Sequence, residues 1–433
     1  MQYSQQLAGR VLVLATAMFA ANFSVWILYA VLGVELREQF QLSATEFGVL
    51  LAAPIFTGAL LRFPAGLLVE RFSAKKLILV QMLLLLPVLV LLPTISTFPG
   101  HLLAGLWLGI SGVSFVLGIR YINPWFERRQ QGTAMGIFGA GNAGAAITLA
   151  LAPAIESWAG RDWIGPLYGM GLLVMVVLFA VAAPEETRYM QRRRASNLAQ
   201  QLQPLRQLRV WRYGLYYYFV FGSFLALLLW LPHYYLSVYE VSLTTAMALT
   251  LVFVALSSSV RALGGWFADR YGARTVNWSV FWTCLVCLFF LSYPPTSMTI
   301  HGVERDVELS IEVSIELFTL LLLVIGIAQG FGRASVYKAL HDNFPGHMGS
   351  VGGTVATIGA FGGFTLPVMF GMAQDLVGIH SAAFMLLYGV LALCMVVMYL
   401  AIQRERYQQR LQFARQHNFL HDDTGTGGAL SVE

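Results

Sequence analysis

Charge is what this sequence has least of. Asp, Glu, Lys and Arg together make up 11% of its 433 residues, against 57% apolar residues and a mean hydropathy of +0.67. That balance excludes a water-soluble domain of this size. Apolar runs of membrane-spanning length recur along the chain and none alternates like a barrel strand, so the spans are helical. Cysteine is nearly as scarce. Cys284, Cys287 and Cys394 all lie inside apolar runs, which excludes a disulfide framework, and Cys284-Leu-Val-Cys287 reads as small packing residues within a helix. No metal-ligand cluster, nucleophile–base arrangement or phosphate loop is legible, so the expectation is a protein without metal or cofactor that is not an enzyme.

What is present is a series of about twelve spans, by the rule of roughly twenty apolar residues each. They are expected near 10–36, 45–69, 77–97, 101–124, 132–157, 164–184, 213–238, 243–267, 276–296, 315–339, 350–373 and 379–403. The first run follows Arg10, extends too far for a signal peptide and lacks a small-residue cleavage site, so it reads as an uncleaved span. The net charge of +5 is concentrated beside span ends. Arg71, Lys75, Lys76, Arg128, Arg129, Arg270 and Arg274 lie in short loops, and further Arg residues fill the linker from Arg188 to Arg212 and the tail from Arg404 to Arg415. The intervening loops are nearly bare, a bias that predicts both termini and the linker in the cytoplasm and leaves no case for nucleic acid. The division that follows is 1–184, an N-terminal six-helix bundle; 185–212, a cytoplasmic linker; 213–403, a C-terminal six-helix bundle; and 404–433, a cytoplasmic tail whose end, from Asp422, reads as disordered.

One unit occurs twice. Arg62-Phe-Pro-Ala-Gly-Leu-Leu-Val-Glu-Arg-Phe-Ser-Ala-Lys75 returns without a gap as Arg261-Ala-Leu-Gly-Gly-Trp-Phe-Ala-Asp-Arg-Tyr-Gly-Ala-Arg274. A second pair of glycine-rich stretches, Gly132–Gly144 and Gly353–Gly363, has a larger offset, and the polar insertion Pro294–Glu312 accounts for most of the excess as an external loop. Two parallel six-helix repeats place a substrate site between the halves near the bilayer midplane.

An ionised arginine deep in a span costs at least about 2.5 to 3.5 kcal/mol, so Arg62 and Arg261 need a reason. The central parts of the spans hold no carboxylate; Glu35, Glu70, Asp269, Glu312 and Glu316 all fall near span ends. Two guanidiniums facing one cavity without a protein anion make a site for a small anion. The alternatives are snorkelling to the surface and bonding to free backbone carbonyls. Gly66, Glu70, Arg71, Gly265, Asp269 and Arg270, with Lys75 and Arg274, read as gating elements that pair loops and helix ends. The small-xxx-small spacings Gly132–Gly136 and Gly359–Gly363 let helices approach closely. Asn142, a carboxamide among Gly139, Gly141 and Gly144, reads either as a ligand contact or as an interhelical hydrogen bond. Arg120, Arg333 and Lys338 are expected to anchor span ends at the interface, and His233 to sit at the interface rather than relay protons.

The spacing Gly-x-x-x-(Glu/Asp)-Arg-aromatic-x-Ala-(Lys/Arg) after spans two and eight resembles the major facilitator superfamily. Gly136-Ile-Phe-Gly-Ala-Gly-Asn-Ala-Gly144 and Ile358-Gly-Ala-Phe-Gly-Gly363 resemble the two nitrate signatures of its NarK-type nitrate/nitrite porters. The resemblance implies an all-α membrane protein of twelve helices in two pseudo-symmetric six-helix bundles, in the inner membrane of a bacterium, handling nitrate or nitrite as a monomer. It implies a clamp of Arg62 and Arg261, with Asn142 and Gly139 from the first signature and Gly359, Gly362 and Gly363 from the second. The aromatic wall it implies is Phe23, Phe115, Tyr217 and Phe221. Ala334-Ser-Val-Tyr-Lys338 followed by Asn343-Phe-Pro345 resembles the type-I branch, which implies uptake of nitrate with protons; Arg120 departs from the small or neutral residue expected there.

The expected function is therefore secondary active transport of nitrate by alternating access, as nitrate/proton symport. The alternatives are nitrate/nitrite exchange or nitrite export, and, from another class, an anion-sensing membrane protein.

Overall fold

The computed structural model describes residues 5–126, 131–185, 203–301, 306–344 and 348–422. Eleven helical stretches are long and apolar enough to cross a membrane, and a bent pair makes twelve. In chain order these are α1 (Gln6–Gln39), α2 (Ala44–Gly66), α3 (Ala74–Thr94), α4 (Phe98–Trp125), α5 (Ala134–Ala159) and α6 (Arg161–Ala182) in the first half. The second half holds α7 (Leu208–Tyr239), α8 (Leu243–Ser259 with Leu263–Tyr271, bent by 42°), α9 (Ala273–Leu291), α10 (Ile315–Asn343), α11 (Ser350–Val377) and α12 (Ala382–Phe413). Each expected span has its counterpart, and the chain folds as an all-α protein of the major facilitator type. The expected insertion carries an antiparallel hairpin, β1 (Thr296–His301) with β2 (Asp306–Ile311), in register from Thr296 opposite Ile311 to His301 opposite Asp306. With an even number of crossings, both chain ends leave from one face, the terminal face; the hairpin marks the other.

Several polar residues inside the bundles find partners within their own half, as hydrocarbon favours. In the first half, Gln81 Nε2 donates to Asn22 Oδ1 (2.7 Å) and Thr148 Oγ1 donates to the Ser24 carbonyl (2.7 Å). The repeat's final basic residue serves each half differently. Lys75 Nζ donates to the Ala180 and Ala183 carbonyls at the end of α6 (2.9 and 2.6 Å), where a cation meets the negative end of a helix dipole. Its counterpart Arg274 forms an ion pair with Glu405, which also pairs with Arg212 (3.3 Å). Beyond Phe413 the helix of α12 runs unbroken into the expected tail as far as Asp422, where the described residues end.

The halves meet along two seams, α2 against α11 and α5 against α8. Toward the hairpin face the first seam is tight: a Cβ on Gly48 would lie 2.3 Å from the Pro367 carbonyl oxygen, and one on Gly371 2.1 Å from that of Ala44. Toward the terminal face, a Cβ on Gly136, Gly265 or Gly353 would meet no neighbouring atom within 4 Å.

Candidate functional site

Four helices lose their regular α geometry at one level of the bundle. α4 turns 3-10 over Gly109–Val113, α5 over Ala140–Ala143, α7 widens to a π turn over Tyr218–Ser223, and α8 breaks at Arg261. Irregular backbone at membrane depth is tolerated only where protein or a cavity covers it, and here these turns surround the two arginines. Glycine density signals the turns in α4 and α5; the π turn in α7 carries a single glycine and no such mark.

Arg62, 3% exposed, is held by backbone oxygen. Its Nε donates to the Gly112 carbonyl on α4 (3.2 Å), and its Nη1 reaches across the seam to the Ala356 carbonyl on α11 (2.9 Å). The guanidinium lies over the rings of Trp26 (5.2 Å) and Phe115 (5.5 Å), a cation–π arrangement that substitutes for part of the lost hydration. Phe23 packs edge-on against Trp26 (5.4 Å), and Phe19 and Phe138 complete the aromatic pile behind Phe115. Trp26 is a residue that sequence reasoning passed over, although it lies only three residues after Phe23; its Nε1 donates to the Pro54 carbonyl (2.8 Å).

Arg261, 7% exposed, stands at the position of the second repeat that corresponds to Arg62 in the first. Its Nη1 donates to the Gly139 carbonyl of α5 at 3.5 Å, a longer and weaker contact. A Cβ at Gly139 would sit 2.7 Å from that Nη1, so glycine here admits the guanidinium to the backbone of the opposite half. Each arginine thus donates to the signature helix of the other half. Neither has an acidic partner among the described residues, so carbonyls, one of the alternatives weighed above, take the place of a counter-ion.

Asn142 lies one turn beyond Gly139, 1% exposed, and its Nδ2 has no hydrogen-bond partner. An orphaned donor at this depth costs about 1 to 3 kcal/mol and points to an acceptor that arrives with a ligand. On the facing side, Tyr217 stacks with Phe221 (5.2 Å) and meets Tyr337 of α10 edge-on (5.1 Å). Tyr337 donates to the Gly352 carbonyl (3.1 Å) and lies within electrostatic reach of both Arg62 and Arg261. It was quoted above only as part of a branch signature, and its place beside the arginines had no sequence signal of its own. The second signature serves packing first: the Tyr217 ring fills the space a Cβ on Gly359 would need (2.4 Å), Gly362 abuts Gly222, and Gly363 abuts Leu225.

One expectation is corrected. Arg333 is not an interface anchor but is fully buried in the second half, where Nη2 donates to the carbonyl and hydroxyl of Ser257 (2.6 Å each), one turn before Arg261. Its guanidinium stacks 4.1 Å from the centroid of Phe224, and Nη1 is unpartnered. His233 sits near the hairpin-face end of α7, where it meets Arg37 of the other half. The residues expected to act in gating lie at the terminal ends of α2 and α8. Asp269 pairs with Lys338 (3.3 Å) and Arg270 stacks on Trp266 and Tyr271, all within the second half. Gly66 and Gly265 are loosely surrounded, and the side chains of Glu70 and Arg71 lie outside the described residues. Among the described residues no group of His, Cys, Asp and Glu could hold a metal ion.

Residues 14–367 match the Major Facilitator Superfamily. The chain is 34% identical over 413 residues to the "Probable nitrate/nitrite antiporter NarK1" of Thermus thermophilus, covering 92% of this chain and 93% of that one. It is 27% identical to the "Nitrite extrusion protein" of Bacillus subtilis (86% and 88% covered) and 28% identical to the "Probable nitrate transporter NarT" of Staphylococcus carnosus (89% and 94%). Among solved structures, a bacterial homologue of the human lysosomal transporter Spinster, inward-facing and occupied, shares the fold with a TM-score of 0.72 at 14% identity, covering 93% of this chain and 98% of that chain. With both nitrate signatures and both intramembrane arginines in place, the chain belongs to the NarK-type nitrate/nitrite porters of the major facilitator superfamily.

Proposed function

We propose that the protein carries nitrate across the membrane by alternating access, with Arg62 and Arg261 as the clamp, and that it runs as a nitrate/proton symporter. The observation that carries this reading is the pair of buried guanidiniums on opposite halves, each resting on a carbonyl and neither facing a carboxylate among the described residues. Nitrate offers three acceptor oxygens to forked donors, and its flat face suits the Phe115 and Tyr217 rings. The anion replaces the carbonyls as acceptor, cancels the repulsion between two like charges, and so favours the conformation in which the halves close around it. Asn142 Nδ2 supplies one more donor. Gly66, Glu70, Arg71, Gly265, Asp269 and Arg270 act at the terminal-face gate. The basic bias of the loops places that face in the cytoplasm, so the tight hairpin-face seam and open terminal-face glycines correspond to an inward-facing carrier. One monomer contains the whole site.

Nitrate/nitrite exchange is the second reading, supported by the antiporter name of the Thermus relative and by the suitability of the same clamp for nitrite. Proteoliposomes separate the two. Nitrate uptake driven by an inward proton gradient without internal nitrite supports symport. Uptake that needs internal nitrite and ignores the gradient supports exchange. Absence of both sinks transport and returns the sensor reading.

A further inference from the structure

The hairpin-face seam holds polar contacts that join the two halves. Asp375, at the end of α11, accepts hydrogen bonds from the backbone N–H groups of Ala44 and Thr45 (3.0 and 2.8 Å) and from Thr45 Oγ1 (2.5 Å). A carboxylate from one half thereby caps the positive N-terminus of α2 in the other. Beside it, Arg37 of α1 donates through Nη1 to Nε2 of His233 on α7. Phe47 lies beneath Arg37 (5.1 Å) and edge-on to His233 (5.0 Å), and Trp230 backs the imidazole (5.9 Å).

A guanidinium has only donors, so this contact exists only while Nε2 of His233 carries no proton. Protonation turns the acceptor into a donor and sets an imidazolium against a guanidinium. The other charged or titratable groups facing the pair are Asp375 and His380. Asp375 is engaged by α2, and His380, in the α11–α12 loop, is held below the usual imidazole range by burial and then by the Arg37 charge. Asp375 offsets part of the Arg37 charge at longer range, but no ion pair among the described residues holds the guanidinium, so a proton on His233 still meets an opposing cation.

We propose that His233 is a proton-binding site whose occupation from the hairpin side unlatches Arg37 and opens that face of the carrier. The inference rests on the alternating-access reading and on its orientation, and it identifies one point at which external acidity acts on the cycle. Once freed into water, an imidazole takes up its proton near pH 6.5, and because the latch must open first the switch responds at or below that pH.

The test uses the full chain in nanodiscs, with Cys284, Cys287 and Cys394 replaced by Ala and spin labels at Glu38→Cys and Leu376→Cys, one on each side of the seam. Between pH 8 and pH 5.5 the long-distance population is expected to grow severalfold. His233→Gln, which keeps an acceptor but takes no proton, is expected to show the short distance at both pH values. Arg37→Gln, which removes the opposing charge, is expected to lose the pH response whatever its resting distance, and His380→Gln to keep it. No shift in the parent, or an undiminished shift in His233→Gln or Arg37→Gln, overturns the proposal, as does loss of the shift in His380→Gln. The measurement uses no substrate, so it stands apart from the liposome assay: a carrier without nitrate uptake leaves this result intact, and the converse also holds.

Discussion

Arg62 and Arg261 stand at the same position in two copies of one sequence unit, and both donate to a carbonyl of the opposite half. Their surroundings nevertheless differ. Arg62 has two carbonyl acceptors, at 3.2 and 2.9 Å, and two aromatic rings. Arg261 has one acceptor at 3.5 Å and sits where its helix breaks, near the buried cation of Arg333. A duplicated scaffold thus delivers one anchored and one loosely held cation. The loosely held one forfeits less protein bonding when an anion arrives, so Arg261 is the member expected to move as substrate binds.

Replacing either arginine by lysine tests the clamp most severely. A point-charge ammonium loses the forked geometry, and loss of about 3 kcal/mol of charged hydrogen bonding lowers nitrate uptake in proteoliposomes on the order of a hundredfold. The comparison is sharpened by melting the same variants: Arg62→Lys lowers the melting temperature and Arg261→Lys leaves it near the parent value. Equal melting losses would break the asymmetry, and full uptake by either variant would remove the clamp.

Gly139→Ala comes next. Its methyl group must displace the Arg261 guanidinium, and about tenfold weaker nitrate binding follows from loss of a single contact worth about 1.4 kcal/mol. Unchanged affinity in a binding titration would mean that Arg261 does not work from this seat. Asn142→Ala is expected to weaken nitrate binding by up to about tenfold, with no loss of thermal stability because its Nδ2 has no protein partner. A large stability loss would instead make Asn142 an interhelical tie. The smallest effect belongs to Asp269→Asn, which breaks an exposed pair with Lys338. Such pairs contribute less than about 1 kcal/mol, so unfolding changes little, and a reduced uptake rate at unchanged affinity would assign the residue to the gate.

Much of this site was legible before any coordinates. A gap-free repeat with arginine in an apolar run is a strong signal, because membrane insertion makes an idle arginine costly. Asn142 was legible for the same reason. Trp26 and Tyr337 were not, since aromatic residues are abundant here and nothing in their spacing separates a ring beside a guanidinium from one that packs against its neighbours. Arg333 was misread because distance along a span reports depth but not which way a side chain points. Asp375 escaped notice altogether: near a span end a carboxylate looks like ordinary interfacial charge, and only the neighbouring half shows that it caps α2.

The sequence alone determined the membrane class, the twelve crossings, the twofold repeat and the positive charge of the site, because hydropathy, periodicity and the cost of burying charge are properties of local sequence. The tertiary structure decided which carbonyls receive the arginines, which rings face them and where the halves are latched. Those are contacts between helices far apart in the chain, and their partners follow from how the two bundles pack rather than from any spacing within either one.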